Sequence, residues 1–427
     1  MFQTVQTPGT STTPHQVVIP FYVYGAFSFL IATLLLFLNS HHMADHYFIP
    51  GNLAITHIMA LGWGTMIIMG ASHQLVPVLI EAPLYSTKLA HLSFYFAALG
   101  IPLLAYGFFT FNLGSFTQLG GLMICLGLTT YLVNLAISMT KSKSENVHAF
   151  FILTAVIWLL STAIVGFLLL LNFTHLILPK NSLAYLPLHA HMGIIGWFLL
   201  LVMGVGSRLI PMFVISKYTN NKLLWWIYGL VNGALILYLI SFLYFQLTAI
   251  SIVSTSMVLL AVILFCIYCF RAYKSRIRKS IDAQVQLSIA AVWMMLLPLI
   301  CLFIIFYLFS NGYEYPKLIV EYGFIIFFGW VSSIILGMTF KTLPFIVWNK
   351  LYLHLAGKGK TPSPKDLFSQ KIFRWMSLTY FPGFILFALG IRFQILWLLQ
   401  LGAIALILAA VLYNFNILKL IFHKPNS

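Results

Sequence analysis

Charge is what this sequence has least of. Only 7% of its 427 residues are Asp, Glu, Lys or Arg, against 61% hydrophobic, and the acidic residues number 7. A water-soluble domain of this length needs a charged exterior, so that class is excluded and a polytopic membrane protein is implied. Cysteine is scarce as well. Cys125, Cys266, Cys269 and Cys301 all fall inside apolar runs, which excludes a disulfide framework and leaves them as small hydrophobic filler. Histidine is missing altogether between His191 and His354. The opening stretch "MFQTVQTPGTSTTPHQ" has neither a basic leader nor a small-residue cleavage pattern, so the first apolar run is expected to be a retained helix.

Apolar runs, by contrast, are plentiful. A helix needs about 20 apolar residues to cross a bilayer. Twelve such runs are read, over 17–39, 53–79, 89–111, 117–139, 149–172, 188–213, 224–245, 248–270, 284–310, 319–346, 375–391 and 394–418. The fold class expected is therefore an all-α polytopic membrane protein, a single transmembrane domain. The formal net charge of +16 would suit a nucleic-acid partner, but its distribution argues otherwise. Alternating the connections puts 20 of the 23 Lys and Arg on the side that holds both termini. That bias fits both termini in the cytoplasm and basic loops lying near anionic headgroups. The partner implied is the lipid bilayer, with no nucleic acid.

A repeat underlies the spans. "HIMALGWGTMIIMGASHQLVP" from 57, "HMGIIGWFLLLVMGVGSRLIP" from 191 and "FIIFFGWVSSIILGMTFKTLP" from 324 align without a gap. Gly62, Gly196 and Gly329 share a column, as do Trp63, Trp197 and Trp330. So do Gly70, Gly204 and Gly337, and Pro77, Pro211 and Pro344. Each copy is the second span of a four-span block, giving three pseudo-symmetric units at about 17–145, 146–283 and 284–427. The glycines let backbones approach closely, and the prolines are expected where each helix stops. Three units about one axis would enclose three channels.

At the other ends of these helices the copies diverge. Copy one has Ile55 and His57, copy two His189 and His191, copy three Tyr322 and Phe324. Residues two apart on a helix are separated by roughly 200°, so His189 and His191 face different channels. With one handedness of the ring, His57 meets His189 and His191 meets Tyr322. With the other, His57 meets Tyr322 and no pair of histidines forms. Polar residues inside membrane helices are expensive and tend to mark function. A facing pair of imidazoles could hold a haem iron from both sides, or a copper with one more ligand. His57, His189 and His191 are therefore the candidate metal and cofactor ligands. His73, Arg208, Tyr322 and Glu321 are secondary candidates, His73 with Gln74 and Arg208 for a buried polar pocket and Glu321 for a proton-entry or cofactor-edge network. "HHMADH" at 41–46 has metal-ligand chemistry in a loop.

Twelve helices in three units, with histidines at the outer ends of helices two and six, resemble subunit I of the haem–copper oxidase superfamily. The "HAH" at 189–191 with Gly204 and Pro211 beyond it looks like that family's tenth helix. The resemblance implies haem, of b type, with copper as a further cofactor, electron-donor or other respiratory subunits as partners, and the bacterial inner membrane as location. The departures narrow it. The family carries copper ligands on helices six and seven, including an adjacent histidine pair, whereas this chain has no histidine between His191 and His354, and helix ten carries Tyr322 and Phe324 in place of haem ligands. The chain is closer to stand-alone members, similar to the NnrS family of haem- and copper-containing membrane proteins linked to nitric oxide metabolism. Three functions are thus in play. They are redox or diatomic-gas (NO or O2) handling, as an oxidoreductase if an enzyme; haem or metal transport or delivery; and a non-catalytic assembly subunit.

Overall fold

The structure is a computed structural model describing residues 13–142, 146–313, 315–356 and 360–425. Most of the opening stretch considered as a leader lies outside them. Among the described residues twelve helices are long and apolar enough to cross a membrane: α1 His15–Leu38, α2 Pro50–Ile80, α3 Thr87–Phe109, α4 Ser115–Met139, α5 Val147–Thr174, α6 Ser182–Val214, α7 Asn221–Phe245, α8 Thr248–Lys274, α9 Ala283–Ser310, α10 Pro316–Leu355, α11 Gln370–Phe393 and α12 Leu396–Ile421. No β-strand occurs among them, only an isolated bridge between Ser216 and Arg276. In hydrocarbon every backbone group must be satisfied within the segment, and the helix does this.

Packing repeats every four helices. The last two helices of each block pair closely, α3 with α4, α7 with α8 and α11 with α12. The first helix of each block lies along the second, α1 on α2, α5 on α6 and α9 on α10. Neighbouring blocks meet through α4 and α5, α8 and α9, and α12 and α1, which closes a ring. The long helices α2, α6 and α10 are 72%, 72% and 78% buried over their most apolar windows, more than any other span, so they form the interior. One glycine column explains the first contact. A Cβ on Gly70 would meet Phe21 of α1 at 2.7 Å, one on Gly204 would overlap Phe151 of α5, and one on Gly337 would meet the Gln284 carbonyl of α9 at 2.7 Å.

Each inner helix widens into a π-helical stretch at the same place: Ile58–Thr65, Met192–Leu199 and Ile325–Val331. These begin directly after His57, His191 and Phe324 and contain the Gly-Trp pair of each copy. The tryptophans link the units. The Trp63 indole N–H donates to Ser332 Oγ at 2.9 Å, and that of Trp197 donates to Thr65 Oγ1 at 3.0 Å. Both acceptors occupy one alignment column, two residues after the tryptophan of the receiving copy. The third member of the column is Leu199, whose side chain has no acceptor, and the Trp330 indole N–H is buried without a partner among the described residues.

The prolines do not stop the helices. α2 and α6 run three residues past Pro77 and Pro211 and end at Glu81 and Ile215, whose φ angles are 53° and 55°. The next amides, of Ala82 and Ser216, bond back to the proline carbonyls at 3.2 and 2.9 Å, a left-handed C-terminal cap. Past Pro344, α10 continues to Leu355. A proline lacks only its own N–H and clashes one turn back, so nothing prevents the chain beyond it from staying helical.

Candidate functional site

The handedness of the ring brings His57 to His189. Their ring centres stand 6.4 Å apart with planes 20° from parallel. Both enter about two turns from the starts of α2 and α6, on the face opposite the termini. Each ring is anchored at Nδ1: His57 to the Leu53 carbonyl at 2.8 Å and His189 to the Thr162 carbonyl at 3.1 Å. A carbonyl only accepts, so Nδ1 carries the proton and Nε2 keeps its lone pair. Neither Nε2 makes a hydrogen bond among the described residues. A second-shell carbonyl on one nitrogen, with the other left open, is how metal-binding histidines are oriented.

The ring-centre separation equals what two imidazoles flanking one ion would give with both Nε2 atoms turned towards it. An imidazole nitrogen binds a transition metal at about 2.0–2.1 Å and the ring centre lies roughly 1.1 Å beyond it, so two rings flanking one metal stand about 6.3 Å apart. Space has been made for one ring. A Cβ on Gly166 of α5 would come within 2.6 Å of His189 Cε1. Phe108 of α3 packs against His57 at 4.5 Å between ring centres. Gly166, Thr162 and Phe108 were not singled out from the sequence. An isolated glycine within the apolar run of α5 was the one available signal.

His191 faces the next channel. Its Nδ1 donates to the Pro187 carbonyl at 2.7 Å, and the Tyr322 hydroxyl lies 3.4 Å from its Nε2. Tyr238 stands edge-on to it at 5.6 Å. Tyr322 is buried. In the third copy Phe324 stacks on Phe328, Phe384 and Phe387 of its own unit. The three copies thus offer a histidine pair, a histidine–tyrosine pair and an apolar plug.

The remaining candidates separate from this site. His73 is fully buried between Phe21 and Tyr131, and neither ring nitrogen has a hydrogen-bond partner among the described residues. Arg208 is exposed, and no hydrogen bond joins it or Gln74 to His73. α2 turns the His73 ring into an aromatic cluster of Phe21 and Tyr131, apart from Arg208. Glu321 is held 3.8 Å from Arg392. In the 41–46 loop His42 pairs with Asp45 at 3.2 Å and His46 stacks on Tyr47. Among the described residues no three His, Cys, Asp or Glu side chains converge as a metal site, so no third protein ligand of those types joins His57 and His189.

No protein-family model matches the chain, and no curated protein matches it.

Proposed function

We propose that the protein is a haem-binding membrane protein of the haem–copper oxidase subunit I type, in which His57 and His189 would hold the haem iron. The observation that carries this reading is the 6.4 Å separation of two imidazoles whose Nδ1 atoms are both tied to carbonyls. Two protein ligands suffice for an iron that brings four ring nitrogens with it, whereas a copper held by side chains needs more. Bound between two histidines, haem supplies one-electron transfer. The chain's own part would be to orient the two rings by protonated Nδ1 atoms bonded to the Leu53 and Thr162 carbonyls, leaving each Nε2 as the donor, and to pack Phe108 against His57. The Lys and Arg bias supports cytoplasmic termini and a bacterial inner-membrane location, with the histidine pair on the periplasmic side. A haem held there would serve redox or diatomic-gas handling.

The test is composition and spectrum together. Purified protein should contain about one haem per chain and show a Soret band that weakens or shifts in His57→Ala and in His189→Ala. Copper without iron would mean instead a metal-delivery protein, and neither metal would point to an assembly subunit.

A further inference from the structure

A recess lies on the face opposite the histidine pair, the one that holds the termini. The start of α9, the flank of α10 and the segment before α11 enclose about 490 Å³, within the range of ligand sites. Its floor is Phe340, and its walls carry Asp282, Lys341, Lys365, Gln370 and Arg374. Of the two carboxylates that line it, Asp282 alone is neutralised by ion pairs. Asp282 is paired with Lys341 and with Arg278, at 3.0 Å for the latter. The Asp366 carboxylate accepts the Ser363 amide at 3.0 Å. The Lys365 ammonium and the Arg374 guanidinium have no ion-pair or hydrogen-bond partner among the described residues. The wall that carries them is fixed: Gln284 donates to Gln370 at 2.9 Å, and Gln370 reaches the Lys365 carbonyl at 3.5 Å. Two cations without an ion-pair partner among the described residues, one a planar fork and one a point charge, line a recess at the edge of the membrane-spanning region, with Asp366 as the one carboxylate there outside an ion pair. That donor set matches a phosphate group.

We infer that this recess binds a phosphate group, through Arg374 and Lys365, and that it is separate from the histidine site. The phosphate belongs either to the headgroup of an anionic phospholipid or to a soluble phosphate. Basic recesses between helix ends are general headgroup sites.

Full-length protein in detergent would be titrated with phosphatidylglycerol and with phosphatidylcholine, retention being read by native mass spectrometry. In parallel, inorganic phosphate would be compared with chloride at equal ionic strength by thermal shift. Selective retention of phosphatidylglycerol supports the inference with a lipid source, and protection by inorganic phosphate supports it with a soluble one. In either arm the Lys365→Gln/Arg374→Gln double variant should bind about thirtyfold more weakly, at roughly 1 kcal/mol per basic residue near an anionic surface. Lys222→Gln/Lys419→Gln, on the same face outside the recess, should bind as the parent does. Both altered recess residues are exposed, and an unchanged melting temperature in chloride checks the fold. Equal retention of the two lipids with no phosphate effect, or binding by the double variant equal to the parent's, would overturn the inference.

Discussion

At the scale of single residues the account turns on how His189 is held. Gly166 leaves the room its ring occupies, and a methyl group there would sit 2.6 Å from Cε1. Overpacking of this kind costs about 1–3 kcal/mol. Gly166→Ala should therefore lower the thermal stability and shift the Soret band of the haem-loaded protein while leaving both histidines in place. An unshifted band would mean that the His189 ring does not meet the iron. A second residue-scale prediction concerns Asp282, at the start of α9. Partial burial works against its ionisation, but the hydrogen bond and charge of Lys341, with the charge of Arg278, hold its carboxyl below the usual value of 3.8. A carboxyl depressed on folding contributes stability at neutral pH that is lost as pH falls through its folded value. Asp282→Asn should lower the melting temperature at pH 7, and the difference from the parent should narrow below about pH 4. A constant difference across that range would remove the ion pair as its cause.

At the scale of helices, the termini show what was legible and what was not. The apolar runs placed all twelve spans, because crossing hydrocarbon demands length and little else. They did not show that α2, α6 and α10 begin before the apolar run, at Pro50, Ser182 and Pro316, since the first turn needs no apolar face. They also hid the π-helical stretches, whose extra width is a matter of backbone bonding shared by three copies rather than of residue type. The turns out of α3, α7 and α11 were equally hidden. Each passes through a left-handed residue that is not glycine: Phe111, Gln246 and Gln394, with φ of 53°, 52° and 54°. A side chain there costs roughly 1–2 kcal/mol. Gln394→Gly should accordingly raise the unfolding free energy by several tenths to about 1 kcal/mol. Guanidinium or thermal unfolding reads this directly, and a loss of stability would show that the Gln394 side chain makes a contact worth more than the strain.

For the whole molecule, the threefold pattern was legible because glycine, tryptophan and proline recur in fixed columns, and such residues are not interchangeable with the apolar bulk. The sense of the ring was not legible, for each copy reads the same whichever neighbour follows it. Packing decides it, and with it whether His57 meets His189 or Tyr322. The tryptophan bonds record the same asymmetry: two of three are made, and the third is missing because its acceptor column holds Leu199. A buried, unpaired N–H costs about 1–3 kcal/mol. Leu199→Thr should give Trp330 an acceptor and raise the melting temperature, an effect that should vanish in a Trp330→Phe background. Stabilisation that persists without the indole would have another origin.

The pairing of His57 with His189 across the first two units is the claim on which function depends. It is tested most directly by ligand rescue of haem-loaded protein, recording visible spectra of the parent, His57→Gly and His189→Gly with and without added imidazole. A hexacoordinate parent spectrum that loses one axial ligand in each variant, and regains it with imidazole, is the expected result. Parent-like spectra in both variants before imidazole is added would contradict it.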